Sequence, residues 1–201
     1  MLKKVLSSAI LLAAVNASAG ENYFANEWDA KGLIAIEGSG GSMDLIYNDT
    51  TVDPAVSSTD STGAGAVSLK LGGESRFYRL FLAGTYYLLD APNTSSSSAA
   101  SLGLQVDYLI RAGEHFNIFM GLNGGGIYSD FEQEVVGGTT SETSTDGYAG
   151  VQAGVNIDII DNLGIELGAR YKHVFSADNV AAIDNMYEGY AAIVFKFTGE
   201  Y

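Results

Sequence analysis

The chain has 201 residues and no cysteine. Small exported domains often depend on disulfides, so backbone pairing and packing must hold this one together. Proline occurs only twice, which leaves long stretches able to donate every backbone N–H. No apolar run reaches the ~20 residues of a membrane-spanning helix. Basic residues are scarce: 10 Lys and Arg stand against 24 Asp and Glu, a net charge of −14. That balance excludes nucleic acid as a partner, because phosphate contacts need clustered Lys and Arg. Only two His are present, His115 and His173. No Ser/His/Asp spacing and no metal-ligand spacing stands out, so the chain reads as a non-enzyme without cofactor or bound metal.

What is present begins with an export signal. Lys3 and Lys4 precede the apolar run Val5 to Val15, and Ala17-Ser18-Ala19 is a small-residue cleavage site. Residues 1–19 are therefore expected to be a signal peptide, cleaved near Ala19-Gly20, with 20–201 as one domain. The exported domain is either soluble or crosses a membrane as strands, and a closed barrel satisfies every backbone group in lipid. Its 25 Gly, 12 Tyr and 9 Phe suit strands and turns.

A period of two dominates. Eight alternating stretches are predicted: Gly32–Tyr47, Gly63–Leu71, Arg76–Leu88, Ser101–Arg111, Phe116–Tyr128, Tyr148–Ile159, Leu163–His173 and Tyr187–Tyr201. The clearest is the fourth, where Leu102, Leu104, Val106, Tyr108 and Ile110 alternate with Gly103, Gln105, Asp107, Leu109 and Arg111. Tight turns at Gly72–Ser75, Ala112–His115 and Ile160–Asn162 alternate with long polar segments at Asn48–Ser61, Asp90–Ala99, Ser129–Asp146 and Ser176–Asn185. Short turns on one side and long loops on the other are the layout of outer-membrane barrels. The expected fold is all-β: an eight-stranded antiparallel up-and-down transmembrane barrel with short periplasmic turns and four long extracellular loops.

Alternation alone fits a soluble lipocalin-like barrel as well as a membrane one. Three features favour the membrane. Six of the mature basic residues, Lys70, Arg79, Arg111, Arg170, Lys172 and Lys196, fall in strands on the polar face. With Glu37, Asp107, Asp158 and Glu166 they can neutralise one another inside a narrow lumen. Tyr47, Tyr86, Tyr128, Tyr148, Tyr171 and Tyr187 lie toward the loop side, and Tyr78, Tyr108, Phe116, Phe197 and Tyr201 toward the turn side, as two interfacial girdles. The sequence also ends in a strand with Phe195, Phe197 and Tyr201 on one face.

That aromatic end resembles the C-terminal signal by which outer-membrane barrels are recognised for assembly. Together with the signal peptide and the loop alternation, the sequence resembles the small single-domain barrels of the OmpA/OmpX type, over nearly all of the mature chain. The resemblance implies residence in the outer membrane, contact with its lipid, delivery by the barrel-assembly machinery through the last strand, and a monomer.

The best functional constellation is the lumen set Glu37, Lys70, Arg79, Asp107, Glu166, Arg170 and Lys196. An eight-stranded bore is just wide enough for side chains to fill it, so these residues are expected to plug it rather than line an ion path. The long segments carry acids and no Lys or Arg. Asp130, Glu132 and Glu134 alternate there as a possible cation-binding loop, without an EF-hand pattern. The function expected is structural and surface-interacting. A narrow cation-preferring pore is the alternative, and a lipid-modifying enzyme a more distant one.

Overall fold

The structure, a computed structural model, describes residues 31–49, 56–90, 94–135, 138–175 and 181–198. The expected signal segment and Tyr201 lie outside that set. Eight strands follow one another: β1 (Lys31–Asp49), β2 (Val56–Glu74), β3 (Tyr78–Asp90), β4 (Thr94–Arg111), β5 (Phe116–Val135), β6 (Gly138–Ile160), β7 (Leu163–Phe175) and β8 (Ala181–Thr198). Each pairs antiparallel with its sequence neighbours, and β8 closes on β1, so the sheet is a complete barrel in up-and-down order. Closure leaves no edge along the spanning wall, which is what hydrocarbon demands.

The tight turns sit close to where the sequence puts them, with one shift. β2 runs on to Glu74 and β3 starts at Tyr78, so the turn is Ser75–Phe77. It is closed by Ser75 N donating to Tyr78 O at 2.8 Å. The shift matters because it turns Glu74 from a turn residue into a lumen residue.

The long polar segments differ more. Ser129–Val135 of β5 pairs with Gly138–Ser144 of β6, rung by rung, from Ser129↔Ser144 to Val135↔Gly138. Likewise β1 pairs with β2 up to Asp49↔Val56, and β4 starts at Thr94 within the polar segment Asp90–Ala99. Most of the predicted loops are thus continuations of the wall. Thr is a good strand residue and Ser is accommodated where one face meets water, and their polarity is what made these stretches read as loops. β6 has 23 residues; at a rise of ~3.3 Å and a tilt of ~40° it extends on the order of 55 Å along the axis, against an apolar band of ~25 Å.

The extra length has its own chemistry. Near the turns, the outward face is greasy: Ile36, Leu69, Leu104, Val106, Leu167 and Ile193 are all exposed. The inward face there carries charges interleaved with two small apolar clusters, Leu33, Ala35, Phe81 and Val194 in one and Leu109, Phe119 and Tyr190 in the other. Near the loop end the two faces exchange character. Met43, Leu45, Tyr87, Ile127, Val174, Ile183 and Met186 point inward and form one buried apolar cluster. Outside them stand Asp44, Ser61, Ser98, Asp130, Thr143 and Thr145. The pleat continues with the same parity while the polarity flips. The lower half turns a greasy wall outward; higher up, the described outer face mixes those polar residues with exposed Tyr86, Leu88, Tyr128, Phe175 and Tyr187 around an apolar core. A bulge between Asp44 and Leu45, opposite Asp184, adjusts β8 so that both Met186 and Ile183 face inward.

Candidate functional site

The lumen below the apolar cluster holds one connected polar network. Arg79 donates from Nε and Nη2 to Asp107 Oδ2 at 3.0 and 2.9 Å, and its Nη1 meets Glu166 at 2.7 Å. Glu37 takes both oxygens to Arg170 Nη2 at 3.0 and 2.9 Å, pairs with Lys70, and accepts from Ser68 Oγ at 3.3 Å. Lys70 reaches Glu166 at 3.9 Å, joining the two halves. Gln105 and Gln152 donate to Asp107 at 2.8 and 2.5 Å, and Arg170 Nε donates to Gln152 Oε1 at 3.2 Å. Glu188 meets Arg170 at 3.4 Å and Lys172 at 3.3 Å, and Lys172 donates to Tyr87 OH at 2.5 Å under the apolar cluster.

Rings fill the space between the charges. Arg79 lies 5.1 Å from the Phe81 centroid and 4.9 Å from that of Phe119, and Arg170 lies 4.5 Å from that of Tyr190. Gly168 on β7 makes room for Tyr190, since a Cβ there would sit 2.6 Å from the ring. The middle layer pairs four cations (Lys70, Arg79, Arg170, Lys172) with four carboxylates (Glu37, Asp107, Glu166, Glu188). All eight are buried. Isolated ions in such a place would be costly, and pairing with extra hydrogen bonds offsets that cost.

Of the residues singled out from sequence, Glu37, Lys70, Arg79, Asp107, Glu166, Arg170 and Lys172 come together in this network. Lys196 does not join it. It sits near the turn end with Asp158 at 2.8 Å and Glu74 at 3.2 Å. Arg111 leaves the lumen altogether: it is exposed at the rim and donates from Nε to Arg76 O at 3.1 Å. Tyr148, expected in a girdle, points inward and is buried in the apolar cluster. Sequence reasoning missed Glu188 and Glu74. Glu188 was legible by counting back in twos from Lys196 through Val194, Ala192 and Tyr190, all buried. Phe195 and Phe197 are exposed on the outer wall, and Tyr201 lies outside the described residues. Asp130, Glu132 and Glu134 lie on β5 opposite Thr143, Ser141 and Thr139, not in a loop. The side chains of Glu132 and Glu134 fall outside the described set, and no group of three metal-ligating side chains occurs among the described residues.

Comparison of the fold with solved structures finds Neisserial surface protein A at a TM-score of 0.58 and 15% identity, covering 85% of this chain and 99% of that one. The fold is that of the small outer-membrane barrels of the OmpA/OmpX type. The N-terminal barrel domain of Pseudomonas aeruginosa OprF also matches, at a TM-score of 0.47 and 11% identity, covering 84% of this chain and 99% of that one. Outer membrane protein H of P. aeruginosa matches at 0.46 and 18%, covering 83% and 99%. No protein-family model and no curated protein matches the sequence. At these identities the likeness speaks for the fold alone.

Proposed function

We propose that this protein is an outer-membrane surface protein: a closed, non-conducting barrel that anchors a rigid, acidic, water-exposed barrel extension outside the cell. One observation carries the reading. The bore is filled in two successive layers, a neutral ion-pair layer and an apolar core above it. A cation-preferring pore needs a wet path with uncompensated negative charge. Here each middle-layer carboxylate is engaged by a cation, and among the described residues the loop-end bore is occupied by Met43, Ile127, Ile183 and Met186.

Delivery through the C-terminal strand, removal of residues 1–19 and a monomeric state belong to the same proposal, as does the lack of enzymatic activity. Planar-bilayer recording tests the central claim. The purified mature chain is expected to give no steps of current across salts and voltages; reproducible cation-selective steps would favour the pore instead. Fractionation with heat-dependent gel mobility tests the location. Release by a salt wash without detergent would overturn it.

A further inference from the structure

The barrel treats its cations unequally. Lys70, Arg79, Arg170, Lys172 and Lys196 are each ion-paired in the lumen. Arg76 and Arg111 are exposed at the turn end and pair with no described carboxylate. The structure nonetheless brings these two like charges together from 35 positions apart. The β2–β3 turn folds against β4: Leu109 N donates to Phe77 O at 2.7 Å, and Arg111 Nε donates to Arg76 O at 3.1 Å. Nearby acids do not neutralise them: Glu74 is committed to Lys196 inside the lumen, and among the described residues Glu114 forms no ion pair. Arg111's guanidinium is thus held against the Arg76 backbone at an exposed rim, and two cations gathered there without a carboxylate favour an anion as their partner.

Their surroundings say where the anion comes from. Arg76 stacks on Phe77 at 5.2 Å, and Phe77 is 46% exposed. Tyr78 and Tyr108, 5.4 Å apart, stand beside it on the outer wall, with Leu80, Val106 and Ile110 just beyond. Exposed amphipathic rings at the edge of an apolar belt mark the headgroup layer, and the planar guanidinium fork suits phosphate. The opposite end shows Asp44, Asp130 and Asp184 and, among the described residues, no Lys or Arg on its surface. We propose that Arg76 and Arg111 form a site for the phosphate of an anionic phospholipid headgroup in the turn-side leaflet. The proposal rests on the reading of the chain as a membrane-spanning barrel.

The test uses the full mature chain, the double variant Arg76→Gln/Arg111→Gln, and Lys31→Gln as a control for rim charge. Each is folded into phosphatidylcholine vesicles and into vesicles that also contain phosphatidylglycerol. Heat-dependent gel mobility scores folding, urea midpoints score stabilisation, and native mass spectrometry scores retained lipid. The wild type is expected to retain phosphatidylglycerol in preference to phosphatidylcholine and to unfold at higher urea in the mixed vesicles. The double variant should fold equally in phosphatidylcholine yet lose both effects, while Lys31→Gln keeps them. A wild type with no preference, or a double variant that retains it, overturns the site. So does inorganic phosphate reproducing the midpoint rise in pure phosphatidylcholine, which would assign it to a free anion. Failure to fold into any vesicle sinks the spanning reading itself, a result distinct from folding without lipid preference.

Discussion

At the scale of single residues, the lumen is decided by pairing. Arg79 is shared between Asp107 and Glu166 and is fully buried. Replacing it with Met leaves buried Asp107 without a cation and Glu166 with only Lys70 at 3.9 Å, which should cost about 3–5 kcal/mol. Adding Glu166→Gln to that variant should recover part of the loss, and urea unfolding of the folded barrel reads both. Tyr190 supplies a contrast. Its ring packs on Arg170 and Lys70, yet its buried hydroxyl has no hydrogen-bond partner. Tyr190→Phe is therefore expected to leave the urea midpoint unchanged or raise it, because an unsatisfied hydroxyl is removed and the packing kept. A clear fall would show that the hydroxyl carries weight the geometry does not reveal.

At the scale of elements, each strand carries two chemistries in one pleat. Leu104 and Thr143 both point outward, the first from the greasy belt and the second from the polar extension. Leu104→Lys should cost about 2–4 kcal/mol in a bilayer, as a charge near mid-depth does. Thr143→Lys should cost next to nothing, and vesicle refolding titrations compare the two. Equal penalties would mean that the belt reaches further up than the side chains indicate. The β5–β6 extension gives a second check. Removing the rungs above Tyr128↔Thr145 and closing the hairpin with Asn-Gly should preserve heat-dependent mobility, since the spanning wall lies below. The strand order and facing were legible in the sequence because lipid-facing and lumen-facing residues alternate along the lower half, save for the irregularity at Asp158–Ile160. Leu104, Val106, Leu167 and Phe195 do face outward, and Lys70, Arg79 and Glu166 inward. The strand ends were not legible, because Ser- and Thr-rich strands wetted on the outside resemble loops by composition.

At the scale of the whole molecule, the barrel joins two solvents. The alternation fits a lipid-exposed barrel and a water-soluble one equally well, and this chain uses both in succession. The lower half stabilises itself by ion pairs in a narrow bore and leaves its hydrocarbon to the membrane. The upper half buries Met43, Tyr87, Ile127 and Met186 as a soluble protein does. On the proposed reading packing stops the mouth of the barrel, so silence in bilayer recordings is the expected result. Substituting Met43, Ile127 and Met186 with Ser together should loosen the stop. If these side chains are what close the mouth, that variant conducts where the wild type does not.

The sequence by itself determined the number of strands, their antiparallel order, the short turns and which residues share a face, because a strand's side chains alternate and an apolar face must meet lipid or a core. It also placed seven of the network's eight ions on the inner face, all but Glu188. Only the tertiary structure decided which of them meet. Arg170 and Glu37 are 133 positions apart, and they touch because β7, β8 and β1 stand side by side once the barrel closes. The same closure sends Lys196 to a separate group, Arg111 to the rim and Tyr148 to the interior. It does so because register and strand tilt set the height of each side chain in the bore, and the sequence records only the order.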